Sequence, residues 1–333
     1  MSRMKIPTGR AGALTRNFLI PILVLAVIVA VFFRDVSFAD IRAGFARIPL
    51  TYLLAFILLW LLGSVLRAWQ YSILLSGKLA GRDIFLITLV RNFSVDLLPG
   101  RAAALGLYSW LARKKGIALE EGASSFIIGV FYDAIGLALM LAGLLFFLET
   151  GLSRWPLIAA MAVIFLLSAA VILFAHPILG FLLRGGKLER LRLGRLQKVF
   201  GRIHDYLIEH RGNRQRFTLI AISLAIRLCK YTYNFILFEG VLHLGVSLKN
   251  FSLFSFGLAA TELSTLLPVQ GPAGFGTWEL AFALVFSALQ IPAANIKEAG
   301  IVIHVTSQAW EYAIGLMALA CLAFRGGRKD PRR

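Results

Sequence analysis

Charged and amide side chains stand in stretches that are otherwise largely apolar, and their spacing suggests where an ionic group would bind. Arg101 follows Leu98-Pro99-Gly100, where a helix broken by proline and glycine would restart. The free N–H groups of a helix start beside a guanidinium make an anion site suited to a phosphate. Alternatively, Arg101 neutralises Asp96 or Asp133. Asn92 and Asp96, four apart in the arm before this break, share a face and either bond the local backbone or line a cavity. Glu262 and Glu279 flank a second break, Pro268 to Gly274, and there could take up a proton or a cationic headgroup. Glu279 could equally satisfy the N–H groups at the start of its own helix. Arg227, Lys230 and Asn234 share one helix face, as do His304 and Glu311, and the two faces could pair as cation and carboxylate. Arg67 with Gln70 could either snorkel to the membrane interface or join this polar set.

No recognisable enzyme machinery accompanies these residues. There is no Ser-His-carboxylate spacing, no Walker loop and no dinucleotide-binding glycine pattern. The five histidines are scattered, and Cys229 and Cys321 both lie in apolar stretches, so neither a metal site nor a disulfide framework is expected. No cofactor is expected either.

The elements that must position these residues are membrane helices. Of 333 residues, 59% are hydrophobic and only 16% charged, against about a quarter charged in an ordinary soluble domain. Six runs, at 17–33, 50–74, 121–147, 156–175, 217–243 and 298–324, are near the ~20 residues that cross a bilayer. Two further stretches, 84–114 and 251–290, are each interrupted by a Gly/Pro turn into arms too short to span, and read as re-entrant helical hairpins. The net charge of +18 argues for topology rather than nucleic-acid binding. With the N-terminus inside, the inner segments carry 25 Lys and Arg and the outer ones six, with four in the membrane. Both termini are then cytoplasmic in a bacterial inner membrane.

Under that topology the first hairpin enters from inside and the second from outside, each between two oppositely running spans. The expected fold is therefore all-α and polytopic, in a single membrane domain. A first repeat covers about 50–147 and an inverted second repeat about 217–324, joined by a span and a basic segment over 148–216. Within that segment, apolar residues from Leu188 to Leu207 alternate with arginines and lysines. They suggest an amphipathic helix that either lies on an anionic leaflet or only sets topology.

The order Arg67-Ala68-Trp69-Gln70, Asn92, Leu98-Pro99-Gly100-Arg101, Asp133, Leu267-Pro268 and Gly274-Phe275-Gly276-Thr277-Trp278-Glu279 resembles the lysylphosphatidylglycerol synthase transmembrane family. This flippase-like domain is also found in multiple peptide resistance factor proteins, and the resemblance runs from about residue 14 to 325. It implies a stand-alone member, without the aminoacyl-transferase domain, that moves a phospholipid or glycolipid across the bilayer. Where the family usually has Gly-Glu and then Arg after Pro-Gly-Arg, this chain has Ala103, Ala104 and Leu107. Gly129-Val130 likewise replaces the Glu-Arg that often precedes the aspartate.

The expected function is thus a flippase or scramblase for an anionic or glycosylated lipid, not an enzyme, with a membrane phospholipid or polyprenyl-linked lipid as its partner. The substrate-binding set is Arg101, Glu279, Glu262, Asn92, Asp96, Arg67, Asp133, Arg227, Lys230 and Glu311. One alternative is an enzyme acting on a polyprenyl (pyro)phosphate lipid, with Glu262 or Glu279 as base and Arg101 holding phosphate. Another is a non-catalytic partner of a glycosyltransferase or other protein in a glycolipid or hopanoid pathway.

Overall fold

A computed structural model of the chain describes residues 38–97, 101–149, 153–184, 194–209, 212–266, 274–288 and 296–326. The described residues form eleven α-helices and no strand. Helix α1 spans Phe38–Arg47, α2 Leu50–Leu74, α3 Gly81–Leu97, α4 Arg101–Lys114 and α5 Leu119–Leu144. Then come α6 (Trp155–Arg184) and α7 (Gly194–Glu209), followed by α8 (Asn213–Leu242), α9 (Leu248–Glu262), α10 (Thr277–Ala288) and α11 (Ile296–Gly326).

Five of these helices are long and apolar enough to cross a membrane, namely α2, α5, α6, α8 and α11. They coincide with five of the six expected runs; the first, 17–33, lies outside the described residues. Their outward faces are apolar as lipid requires: Leu50, Leu54, Leu58, Leu62 and Val65 line an exposed stripe of α2. Pro49 opens α2, its carbonyl accepting from Tyr52 and Leu53 at 2.9 and 3.2 Å. Ser247 caps α9 by accepting from the Asn250 amide at 3.1 Å.

The two interrupted stretches form pairs of short helices, α3 with α4 and α9 with α10, packed side by side. The turns between them, 98–100 and 267–273, lie outside the described residues. Just beyond the second, Gly274 and Gly276 take φ of +78° and +85°, so side chains there would be strained. The sets α2–α5 and α8–α11 share one order, a long helix, two short ones and a long one. They meet where α2 and α5 pack on α8 and where α3 packs on α11.

Two of these crossings depend on glycine. A Cβ on Gly136 of α5 would stand 2.8 Å from the Leu224 amide nitrogen and 2.9 Å from the Ser223 carbonyl oxygen of α8. Gly315 of α11 packs directly against the Phe93 side chain of α3. Small residues at such crossings let membrane helices approach closely. Gly136→Val should therefore push α5 from α8 and cost about 1–3 kcal/mol. A lowered thermal midpoint of the detergent-solubilised protein would report it, and an unchanged midpoint would contradict this packing.

Helix α7 is amphipathic as expected, and its apolar face packs on α5 and α6. Tyr206 is buried, donates to the Leu74 carbonyl at 2.8 Å, and burial pushes its phenol well above its ordinary range. Arg202 meets Glu120 at 2.9 Å. Nearby, the hydrogen bond from Lys78 to Glu121, at 2.6 Å, holds that ammonium above its ordinary range. What this pair contributes is present at neutral pH and is lost only as pH rises through the raised value. At the opposite ends of the helices Lys249 pairs with Glu149, and Arg47 with Glu298 at 3.4 Å.

Candidate polar cavity

Three charged residues sit within two positions of the midpoints of their long helices: Asp133 on α5, Arg227 on α8 and Glu311 on α11. Helices of 26 to 31 residues run about 39–46 Å at 1.5 Å per residue. Their midpoints therefore fall deep in the ~30 Å hydrocarbon layer, where an ionised side chain costs about 2.5–3.5 kcal/mol or more without a partner. Packing of the helices brings these residues together around a cavity of about 380 Å³, within the range of ligand sites.

One wall is a chain of alternating charge. Arg67 of α2 donates from Nη1 to Asp133 Oδ2 and to Gln70 Oε1, the latter at 2.8 Å. Gln70 passes the network on to Ser223 of α8 at 2.6 Å. Beyond Asp133 lies Arg227, whose Nε donates to the Asp133 backbone carbonyl at 3.2 Å. Its Nη2 stands 3.9 Å from Asp133 Oδ2 and its Nη1 3.8 Å from Glu262 Oε2. Lys230 closes the chain at 2.7 Å from Glu262, which also accepts from the Tyr231 hydroxyl at 3.2 Å. Each carboxylate thus has a closer ionic partner than Arg227. The guanidinium at the centre is the cation whose ion pairs are longest.

Elsewhere on the lining, Arg91 of α3 lies 5.0 Å from the Phe126 ring centre and donates to Asn92 at 3.2 Å. Trp60 donates to Glu311 Oε1 at 3.1 Å. The cavity lining carries four basic side chains, Arg67, Arg91, Arg227 and Lys230, to three carboxylates, Asp133, Glu262 and Glu311. Ionised, this lining favours an anion.

Of the expected site residues, Arg67, Asn92, Asp133, Arg227, Lys230, Glu262 and Glu311 all line this one cavity. Three expectations need correction. Arg67 does not snorkel: it is buried, because Asp133 gives it a partner within the protein. Arg227 and Lys230 do not pair with the His304–Glu311 face; they meet Glu262, which α9 carries to the same depth. Glu279 does not line the cavity. Its Oε2 accepts from the Gly276 amide at 2.7 Å and its Oε1 bonds His304 Nδ1, so it works as the glutamate half of a capping box. The side chains of Arg101 and Asp96 lie outside the described residues.

Trp60 and Gln308, which no sequence motif marks, also line the cavity, as does Trp278 of the glycine-rich motif. One signal was available: His304, Gln308 and Glu311 recur at helical spacing as a polar stripe on an apolar helix. No group of side chains suited to a metal ion occurs among the described residues.

A search of curated proteins finds no match to this sequence. A family model does match, that of the lysylphosphatidylglycerol synthase TM region, over residues 18–315. That span takes in nearly every helix that builds the cavity and contains the residues from Arg67 to Glu279. This multi-pass membrane protein therefore belongs to the lysylphosphatidylglycerol synthase TM region family.

Proposed function

We propose that the chain is a lipid flippase or scramblase that carries an anionic or glycosylated headgroup through this cavity while the acyl tails remain in lipid. The observation that carries the reading is Arg227: a cation at the midpoint of α8, held at 3.8–3.9 Å by carboxylates that already have closer partners. A headgroup phosphate entering beside it would take charge-assisted hydrogen bonds from Arg227, while Asp133 keeps Arg67 and Glu262 keeps Lys230. In this reading α3/α4 and α9/α10 are re-entrant hairpins, and the sets α2–α5 and α8–α11 form an inverted repeat in an inner membrane, with both termini cytoplasmic. The shared helix order of the two sets supports it.

Binding and movement are then coupled. The contact between Asp133 and Arg227 joins the first set to the second. A phosphate that competes for Arg227 weakens this join, and one set can rock against the other. We propose no chemistry on the lipid, since the carboxylates available as bases are engaged with Lys230, Arg67, Trp60 or His304.

The test is headgroup movement in proteoliposomes holding a fluorescently labelled phosphatidylglycerol in both leaflets. An added impermeant reductant should bleach the inner-leaflet label as well as the outer, whereas protein-free vesicles stay half protected. If the protected half survives with purified protein for each labelled anionic or glycosylated lipid tried, the proposal fails. Release of phosphate from a polyprenyl-pyrophosphate would replace it with hydrolysis.

A further inference from the structure

Among the described residues that line the cavity, His304 is the one histidine. It is 4% exposed and held on three sides. Its ring lies 4.6 Å from that of Phe275 at 28°, and 4.6 Å from that of Trp278 at 32°. Its Nδ1 meets Glu279 Oε1, and Glu279 is itself fixed by the Gly276 amide at the start of α10. When Glu279 is a carboxylate, it accepts from Nδ1–H, and the lone pair of the imidazole lies on Nε2. A side chain needed only for packing would not require a carboxylate to set its tautomer. A buried carboxylate needed only as a cap would not require a histidine beside a polar cavity.

We infer that His304 is the proton-binding site of this cavity, and that movement of an anionic headgroup is coupled to a proton taken up at His304 Nε2. The inference rests on the transport reading above and names its coupling ion. Protonation forms one N–H bond, with the proton drawn from water on one side; release returns it to water on the other, and no other bond changes. The imidazolium formed is paired with Glu279 and adds one positive charge to the wall that receives the headgroup. Glu279 on α10 bonds its ring, and the charged groups that share the cavity with it are Arg67 on α2, Arg91 on α3, Asp133 on α5, Arg227 and Lys230 on α8 and Glu262 on α9. On its own helix stand Glu311 and, at the outer end, Glu298 with Arg47 of α1.

Two measurements test this. An imidazolium quenches an adjacent indole, so the tryptophan fluorescence lost in Trp278→Phe should fall in a single-proton step as pH is lowered in the intact protein. His304→Gln should abolish that step. In proteoliposomes with labelled phosphatidylglycerol, an imposed pH gradient should change the wild-type rate several-fold, and His304→Gln should remove that dependence whatever rate remains. A wild-type rate indifferent to the gradient, or a fluorescence step that survives His304→Gln, would overturn the inference while leaving transport standing. Headgroup movement absent at every pH would remove the transport reading and the coupling with it. The fluorescence step then reports separately whether His304 binds a proton.

Discussion

Asp133→Ala should be among the most damaging single changes in the molecule, costing about 3–5 kcal/mol, because it strands buried cations rather than merely removing an ion pair. Asp133 is the closest carboxylate to Arg67 and one of two beside Arg227, all three deep in the helix bundle. Its loss leaves Arg67 with Gln70 alone among these partners. A sharply reduced yield of monodisperse protein, with a much lower thermal midpoint, is the outcome to look for. Changing both partners, Arg67→Met with Asp133→Leu, should recover much of the loss, since apolar replacements of a buried pair are often nearly neutral. A double variant as unstable as the sum of its singles would show that the pair does not act as a unit.

Arg227→Gln should behave oppositely, sparing the fold and disabling transport. Both of its carboxylates keep partners when it is gone, Asp133 with Arg67 and Glu262 with Lys230. The lost charge-assisted hydrogen bonds to a headgroup, about 1.5–3 kcal/mol, correspond to roughly a 10- to 150-fold slower translocation. Arg227→Lys keeps the charge but not the planar fork, so it should recover only part of the rate. Rates from the bleaching assay, set beside thermal midpoints of the same preparations, separate the two roles. Normal transport with a collapsed midpoint would assign Arg227 to structure instead.

The contrast between these residues marks what sequence could and could not supply. Spans such as 50–74 and 217–243 were legible because length and apolar content alone set them. The interruptions at Pro99-Gly100 and Pro268–Gly274 were legible because proline and glycine act locally on the backbone. Helical periodicity also put Arg227 and Lys230 on one face. It says nothing about what stands opposite, and their pairing with Glu262 arises only when α8 and α9 pack together. Arg67 and Asp133, 66 residues apart, meet only because α2, α5 and α8 pack together, which no local pattern encodes. Glu279 is instructive in the other direction. Its place three residues after Gly276 is the local signature of a helix cap, and that local reading is the one its geometry bears out.

The most direct measurement asks whether a headgroup enters the cavity at all. A diazirine-bearing residue in place of Val130, on the cavity wall, can be activated by light in native membranes, with Leu316 on the exposed face of α11 as control. Fragment masses then tell which part of a captured lipid carries the bond. Passage of headgroups through the cavity predicts phospholipid adducts at Val130 bonded through the headgroup, and acyl-chain adducts at Leu316. Acyl-chain adducts at Leu316 with none at Val130 would contradict it.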